Sequence, residues 1–186
     1  KGAFFGFPSI VDVDVLTALQ EALSASLLDI DHLSPDALPT ELIEKIRPSY
    51  NVLQSSEAFQ YHQPWLKPYQ DRYDPVVWQR LQRGGTWTDE DRSNAEAARQ
   101  AMVAWFREKF AVYDFVIFPS VPFPALNFDE STDANRDRMM TLTTPVSISQ
   151  LPAMNIPVAF GGLSVGYQVI LPKLEPETWL AVLRAG

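Results

Sequence analysis

The sequence contains no cysteine. That excludes a disulfide framework, a thiolate nucleophile and a cysteine-ligated zinc site. Histidine is almost as scarce: only His32 and His62 are present, too few ligands for a transition-metal centre. Basic residues are outnumbered, with 15 Lys and Arg against 23 Asp and Glu and a formal net charge of −8. A nucleic-acid groove needs clustered Lys and Arg to neutralise phosphates, so no nucleic-acid partner is expected. Long apolar runs are missing too. A bilayer span takes roughly 20 apolar residues, and the most apolar stretch, 115–126, is broken by Pro119, Pro122 and Pro124. No membrane partner follows. The opening Lys1-Gly2-Ala3-Phe4-Phe5 lacks the long apolar region and the small-residue cleavage site of a signal peptide. It reads as an internal segment, and the absence of an initiating Met fits a fragment. No cofactor is implied.

What remains is an ordinary globular composition. The 186 residues are 46% hydrophobic and 20% charged, enough for one domain with a sizeable core. No repeat, low-complexity tract or internal domain boundary is visible. Val15, Leu16, Leu19, Ala22, Leu23, Ser26 and Leu27 fall on one helical face and predict a helix over 13–28. Residues 29–39 read as a turn-rich connector. A short helical turn over 41–46 stops at Pro48, a second helix covers 50–62, and Pro64 and Pro68 then mark an aromatic loop. Asp74-Pro75 is a helix start, an N-cap followed by proline at the first helical position. Thr88-Asp89-Glu90-Asp91 is another, opening a helix that runs to about Val112. Residues 113–118 predict a strand ended by Pro119, and 119–138 a loop. Its acidic part, 129–137, has Arg138 where a calcium loop of the EF-hand type needs glycine, so it reads as a solvated loop. Residues 175–184 close the chain as a helix.

The most informative stretch is 143–173. It reads as an irregular segment ending in Leu151-Pro152-Ala153, an apolar strand over 154–160, a Gly161-Gly162 reversal and a second apolar strand over 164–171. Strands this apolar suit a sheet covered on both faces, as in α/β proteins. The expected class is α/β, a mixed β-sheet flanked by α-helices.

The same stretch resembles the amidase signature family, which carries Thr, Asn, Gly, Leu-Pro-Ala, an apolar strand and Gly-Leu-Pro-x-Gly-x-Gln. Here the pattern is supplied by Thr143, Ser147, Gln150, Leu151-Pro152-Ala153, Ile156-Pro157-Val158 and Gly162-Leu163-Ser164-Val165-Gly166-Tyr167-Gln168. Ser147, Gln150 and Ser164 depart from the family's Asn, Gly and Pro. Glu57-Ala58, Tyr73-Asp74-Pro75 and the run from Asp114 to Pro122 fall in the family's order. The resemblance covers the chain from about Val11 onward and corresponds to the second half of such an enzyme.

The resemblance implies that residues 1–186 are the C-terminal part of a single amidase-like domain. Its serine nucleophile, relay serine and neutral lysine base would then lie in an N-terminal half absent from the chain. The sequence fits that division. Its adjacent serines, Ser55-Ser56, lack glycine neighbours, no serine sits in a Gly-x-Ser-x-Gly elbow, and no lysine has an apolar, serine-rich setting. No catalytic residue is therefore expected here. Met140, Thr143, Ser147, Ser149 and Gln150 are implied as the wall of a pocket for a small-molecule amide. The family's amidotransferase A-type subunits carry Asp three residues before the Thr, where this chain has Met140. Two other readings stay open: an amidotransferase A-type subunit, and a non-catalytic binding or interaction module that kept the fold. A cytoplasmic location is expected, with either the missing half or a second copy as partner.

Overall fold

In the computed structural model, which describes residues 1–34 and 37–185, the apolar tetrad Gly2–Phe5 is fully buried and forms β1. It lies between two parallel partners, β2 (Ile30–Leu33) and β3 (Phe115–Pro119). β3 pairs antiparallel with β5 (Leu163–Ile170), and β5 pairs antiparallel with β4 (Ala153–Phe160). The sheet is mixed and five-stranded, ordered β2-β1-β3-β5-β4. Parallel neighbours need long crossovers. α1 (Val13–Ala25) provides one, between β1 and β2. α2 (Thr40–Leu66), α3 (Pro75–Gly84) and α4 (Asp89–Phe110) provide the other, between β2 and β3. α5 (Asp133–Ile148) precedes the β4–β5 hairpin and α6 (Pro176–Ala185) follows it. The expected α/β architecture is the one adopted.

Side chains alternate across the strands and divide the core in two. Phe4, Ile117 and Val169 join Val15, Leu19 and Leu23 of α1 and Val182 of α6. Ala3, Phe5, Val116 and Phe118 join Ile46 of α2, Met102, Trp105 and Phe106 of α4, and Val146 and Ile148 of α5. Each such Leu, Ile, Val or Phe contributes about 1.5–3 kcal/mol on burial.

The predicted helix starts form as read. Asp74 Oδ1 accepts from the Val76 and Val77 amides at 2.9 and 3.2 Å. Thr88 and Asp91 close a capping box, whose Thr88 hydroxyl and amide hold the Asp91 carboxyl below its ordinary range. Gly161 and Gly162 both have positive φ, 54° and 82°, the two-residue reversal that a twisted hairpin favours.

Four expectations are corrected. The connector predicted over 29–39 contains β2, and its residues 35 and 36 lie outside the described residues. The separate helices over 41–46 and 50–62 are one helix, α2, which runs through Pro48 and Pro64. Both prolines are exposed, so the carbonyls they free, at Glu44 and Gln60, face water and need no protein donor. The loop over 119–138 and the irregular segment after 143 are joined by α5, capped by the Thr132 hydroxyl, which accepts from the Asn135 amide at 3.2 Å. Finally, β4 is not covered on both faces. Met154, Ile156, Val158 and Phe160 are half-buried, while Ala153, Asn155, Pro157 and Ala159 face out. An edge strand tolerates that, and tolerates Pro157, because no further strand needs its missing N–H.

Gln168 ties these parts together. Its side chain is 5% exposed, and Nε2 donates to Pro119 O at 3.2 Å and to Leu142 O at 2.9 Å. One amide thus joins the end of β3, β5 and the middle of α5. Removing it leaves two buried carbonyls without that donor, a loss of about 2–3 kcal/mol at about 1–1.5 kcal/mol per bond. Gln168→Leu should lower the melting temperature by about 4–12 °C, at about 2–4 °C per kcal/mol for a chain of this size. Thermal unfolding followed by circular dichroism checks it.

Candidate functional site

The chain leaves β1 in one direction through α1 to β2, and returns to β3 on the opposite side of β1. Open α/β sheets bind ligands outside the carboxyl ends of their strands at such a reversal. A cavity of about 580 Å³ lies there, lined by Phe5, Gly6 and Phe7 at the end of β1, by Ile43 and Arg47 of α2 and by Thr141 of α5. Phe7 has φ 53°, a left-handed conformation rare for a bulky residue and costing about 1–3 kcal/mol. Its carbonyl accepts from the Ile10 and Val11 amides, both at 2.9 Å, and its ring packs edge-on to Phe118 at 4.9 Å. These contacts hold the strained residue at the cavity wall.

A second cavity, of about 680 Å³, continues along α2 towards α3 and shares Arg47 and Asn51 with the first. Its far wall is α3, which approaches α2 closely. A Cβ on Gly84 would fall 1.9 Å from Ser55 O, so only glycine fits that crossing. Trp87 is fixed beside it, Nε1 donating to Ser55 Oγ at 2.8 Å. Arg47 and Asp137 pair at 2.6 Å across the cleft between α2 and α5. With both side chains about 40% exposed, the pair positions the two helices more than it stabilises them.

The five residues implied as a pocket wall sit on or next to α5 and divide between its two sides. Met140 lines the second cavity. Thr143 and Ser147, three and seven residues on, fall within about 60° of it on the helical wheel and are exposed. Gln150 follows them and is exposed. Ser149, two residues past Ser147, points the other way. It is 8% exposed, borders a cavity of about 230 Å³ against Val103, Phe106 and Phe110 of α4, and its hydroxyl has no hydrogen-bond partner among the described residues. Met140, Thr143 and Ser147 therefore share one side of α5, Gln150 lies past the helix end, and Ser149 does not join that side.

Residues that sequence reasoning passed over are Phe7, Arg47, Asn51 and Thr141. Each belongs to an element whose neighbour is fixed only by tertiary packing. The one local signal is Gly6-Phe7-Pro8 directly after a buried strand.

None of the five lysines is buried. Lys45, Lys67 and Lys173 are exposed, Lys1 pairs with Asp31 at 2.7 Å, and Lys109 lies over the Trp105 ring. Ser55 Oγ is committed to Trp87 and to Asn51 O, and His62 Nδ1 lies 2.9 Å from Tyr73 Oη within an aromatic cluster. Among the described residues, no three His, Cys, Asp or Glu side chains gather as a metal site, and no helix is long and apolar enough to cross a membrane.

Gln150 carries a backbone load of its own. With φ 54° it is the left-handed residue just past the end of α5. Its amide bonds Ser147 O at 3.1 Å and the Leu151 amide bonds Val146 O at 3.4 Å. That is the paired closure of a Schellman end, where glycine is the preferred residue. The departure from glycine at this position is thus a strained cap. Gln150→Gly should stabilise the chain by about 0.5–1 kcal/mol, the left-handed penalty less the chain entropy that glycine adds. The melting temperature then rises by about 1–4 °C. A fall on thermal melting would show that the Gln150 side chain packs productively.

Comparison with known proteins gives consistent likenesses. The Amidase family profile matches residues 24–180. The A-type subunit of glutamyl-tRNA(Gln) amidotransferase from Streptococcus agalactiae is 35% identical over 97 residues, which is 49% of this chain and 19% of that protein. Its counterpart from Lactococcus lactis is 28% identical over 130 residues, 65% of this chain and 26% of its own length. A crystal structure of an amidase superposes with a TM-score of 0.78 at 25% identity, covering 100% of this chain and 45% of that one. Allophanate hydrolase of Kluyveromyces lactis superposes with a TM-score of 0.76 at 19% identity, covering 99% of this chain and 31% of that one. The matched part spans about a fifth to a quarter of those curated relatives.

Proposed function

This chain belongs to the Amidase family, and from that premise we propose that it is the carboxy-terminal half of an amide-bond hydrolase. In this reading residues 1–186 contribute a wall of the substrate pocket. The serine nucleophile, the relay serine and the lysine base come from a segment that precedes Lys1 in the full protein. The observation that carries the reading is the position of α5. It has Thr141 on the cavity at the sheet's point of reversal and Met140 on the adjoining one, and the Met140 side of the helix continues through Thr143 and Ser147, which supports a pocket wall there. The lysines support the division. A lysine base must be desolvated to be neutral near pH 7, and none of the five here is buried. The substrate is a small-molecule amide, with a cytoplasmic site of action as part of the same reading.

A second reading, an amidotransferase A-type subunit, is favoured by the likeness to the streptococcal and lactococcal proteins. The position three residues before Thr143 separates the two, because Met140 offers no charge to an amino-acid amide. Glutamine hydrolysis by the full protein, faster than hydrolysis of simple alkyl or aryl amides, would favour this second reading.

Two measurements test the main reading. A fluorophosphonate probe should label no serine of the 186-residue chain, whereas the protein extended by its upstream sequence should be labelled and should hydrolyse aryl amides. Stoichiometric labelling of the shorter chain would place a nucleophile within it and overturn the division.

The second concerns association. The outward face of β4, with Leu180 and Leu183 of α6 and Leu174 before it, is left exposed, and an open sheet edge is a template for pairing. The isolated chain should sediment as a self-associated species, and the extended protein should lose that association. A monomer at high micromolar concentration with an unchanged melt would show that no partner is required.

A further inference from the structure

The cavity between α2, α3 and α5 has a charge that the rest of the chain does not. Arg47, Arg80, Arg83 and Arg136 all line it, in a protein of net charge −8. Arg47 is committed to Asp137. Arg80, Arg83 and Arg136 form no salt bridge among the described residues, and Asp133 is the one other acid on the wall. An arginine cannot relieve repulsion by losing its proton, so three guanidinium groups facing one cavity are best satisfied by an anion. We propose that this cavity binds a small organic carboxylate whose apolar body extends along α2 towards Phe5 and Phe7.

Three features argue for that class. A carboxylate accepts two parallel N–H bonds from a guanidinium. The negative charge of the remaining surface disfavours a polyanion such as a nucleotide phosphate. The apolar body has a defined place, because the cavity adjoins the first one at Arg47 and Asn51, and that one is walled by Phe5, Phe7, Ile10, Leu38 and Ile43. Trp87 adds a flat face at the charged end, with the Arg83 guanidinium 5.1 Å from its ring centroid, an arrangement that holds the arginine in place. The rigid crossing at Gly84 keeps α3, and with it Arg80 and Arg83, at a fixed distance from α2. The assignment rests on the cavity and not on the hydrolase reading, because binding is read without hydrolysis.

The test is calorimetric titration of the 186-residue chain with phenylbutyrate and with its neutral counterpart, phenylbutyramide, at low ionic strength. Saturable binding of the acid is expected, with the amide weaker by about tenfold or more, since hydrogen bonds to a charged group contribute about 1.5–3 kcal/mol. The double variant R80Q/R136Q should lose about tenfold or more by the same reasoning, R80K/R136K should recover part of it, and added salt should weaken the wild-type chain. Arg72, on the turn after α2 and outside the cavity, supplies the control: R72Q should bind as wild type. All the substituted arginines are exposed, so their melts should match wild type; if R80Q/R136Q melts early, the single variant R83Q takes its place. No saturable binding of the acid, equal affinity for acid and amide, or equal losses in R80Q/R136Q and R72Q would overturn the proposal.

Discussion

One buried side-chain amide ties α5 to the sheet. Gln168 Nε2 bonds a carbonyl at the end of β3 and a carbonyl in the middle of α5, so a residue of β5 determines the distance of that helix from the sheet. The location on α5 is telling. Pro145, three residues after Leu142, lies inside the helix and is buried. It supplies no N–H, and its ring crowds the turn before it. The Gln168 amide engages the Leu142 carbonyl beside that weakened turn, and Met140 and Thr141 lie just before it on α5.

The topology explains why the cleft is where it is. One parallel crossover leaves β1 for β2 and the next returns from β2 to β3 on the other side of β1, so their helices pack on opposite faces of the sheet and leave a gap at the carboxyl end of β1. The gap is lined on one side by the start of α2 and on the other by α5, and Arg47 and Asp137 bridge it. Strain collects at its mouth in Phe7. A strained backbone persists when surrounding contacts over-determine it; here two amide bonds to its carbonyl and the Phe118 ring do so. The long, unbroken α2 then carries the cleft from the apolar end at Phe5 to the cationic end at α3. Had α2 broken at Pro48, as its sequence suggests, the two cavities would not share a wall.

Elements that announce themselves by side-chain chemistry were legible in the sequence, and elements that depend on distant partners were not. α3 and α4 begin at Asp74-Pro75 and Thr88-Asp89, whose caps are local hydrogen bonds, and both form at those residues. The β4–β5 hairpin was readable from Gly161-Gly162. β2 was not, because Ile30-Asp31-His32-Leu33 has no apolar alternation and is held by main-chain pairing to β1. Pro48 and Pro64 misled because the carbonyls they free face water and need no protein donor. Thr132-Asp133 is the same start signal as Thr88-Asp89, but the acidic residues before it gave it the look of a solvated loop. For the site, the family pattern pointed to one segment, which folds as the second half of α5 and the turn after it. It did not separate Ser149 from its neighbours, since a stretch read as loop carries no helical phase. The arginines of the second cavity come from three helices, and no spacing in the chain brings them together.

The three departures from the family pattern then have distinct physical meanings. Ser164 lies at the exposed start of β5, opposite Ala159, where the proline it replaces would remove a donor without touching the core. Ser147 is exposed on the face that continues from Met140, so its change alters what that face offers a ligand and leaves packing alone. Gln150 is different, because the position demands a backbone conformation before it demands a side chain. Its left-handed φ costs about 1–2 kcal/mol in a residue with a Cβ, yet the two closing hydrogen bonds of the helix end are still made. The energy to hold them comes from the residues just before: Leu142, Val146 and Ile148 are all buried, each contributing about 1.5–3 kcal/mol. The cap is therefore imposed on Gln150 by the packing of α5 against the sheet. A chain can lose the glycine of this pattern and keep the turn, provided the helix before it is anchored as firmly as Gln168 and these three side chains anchor it here.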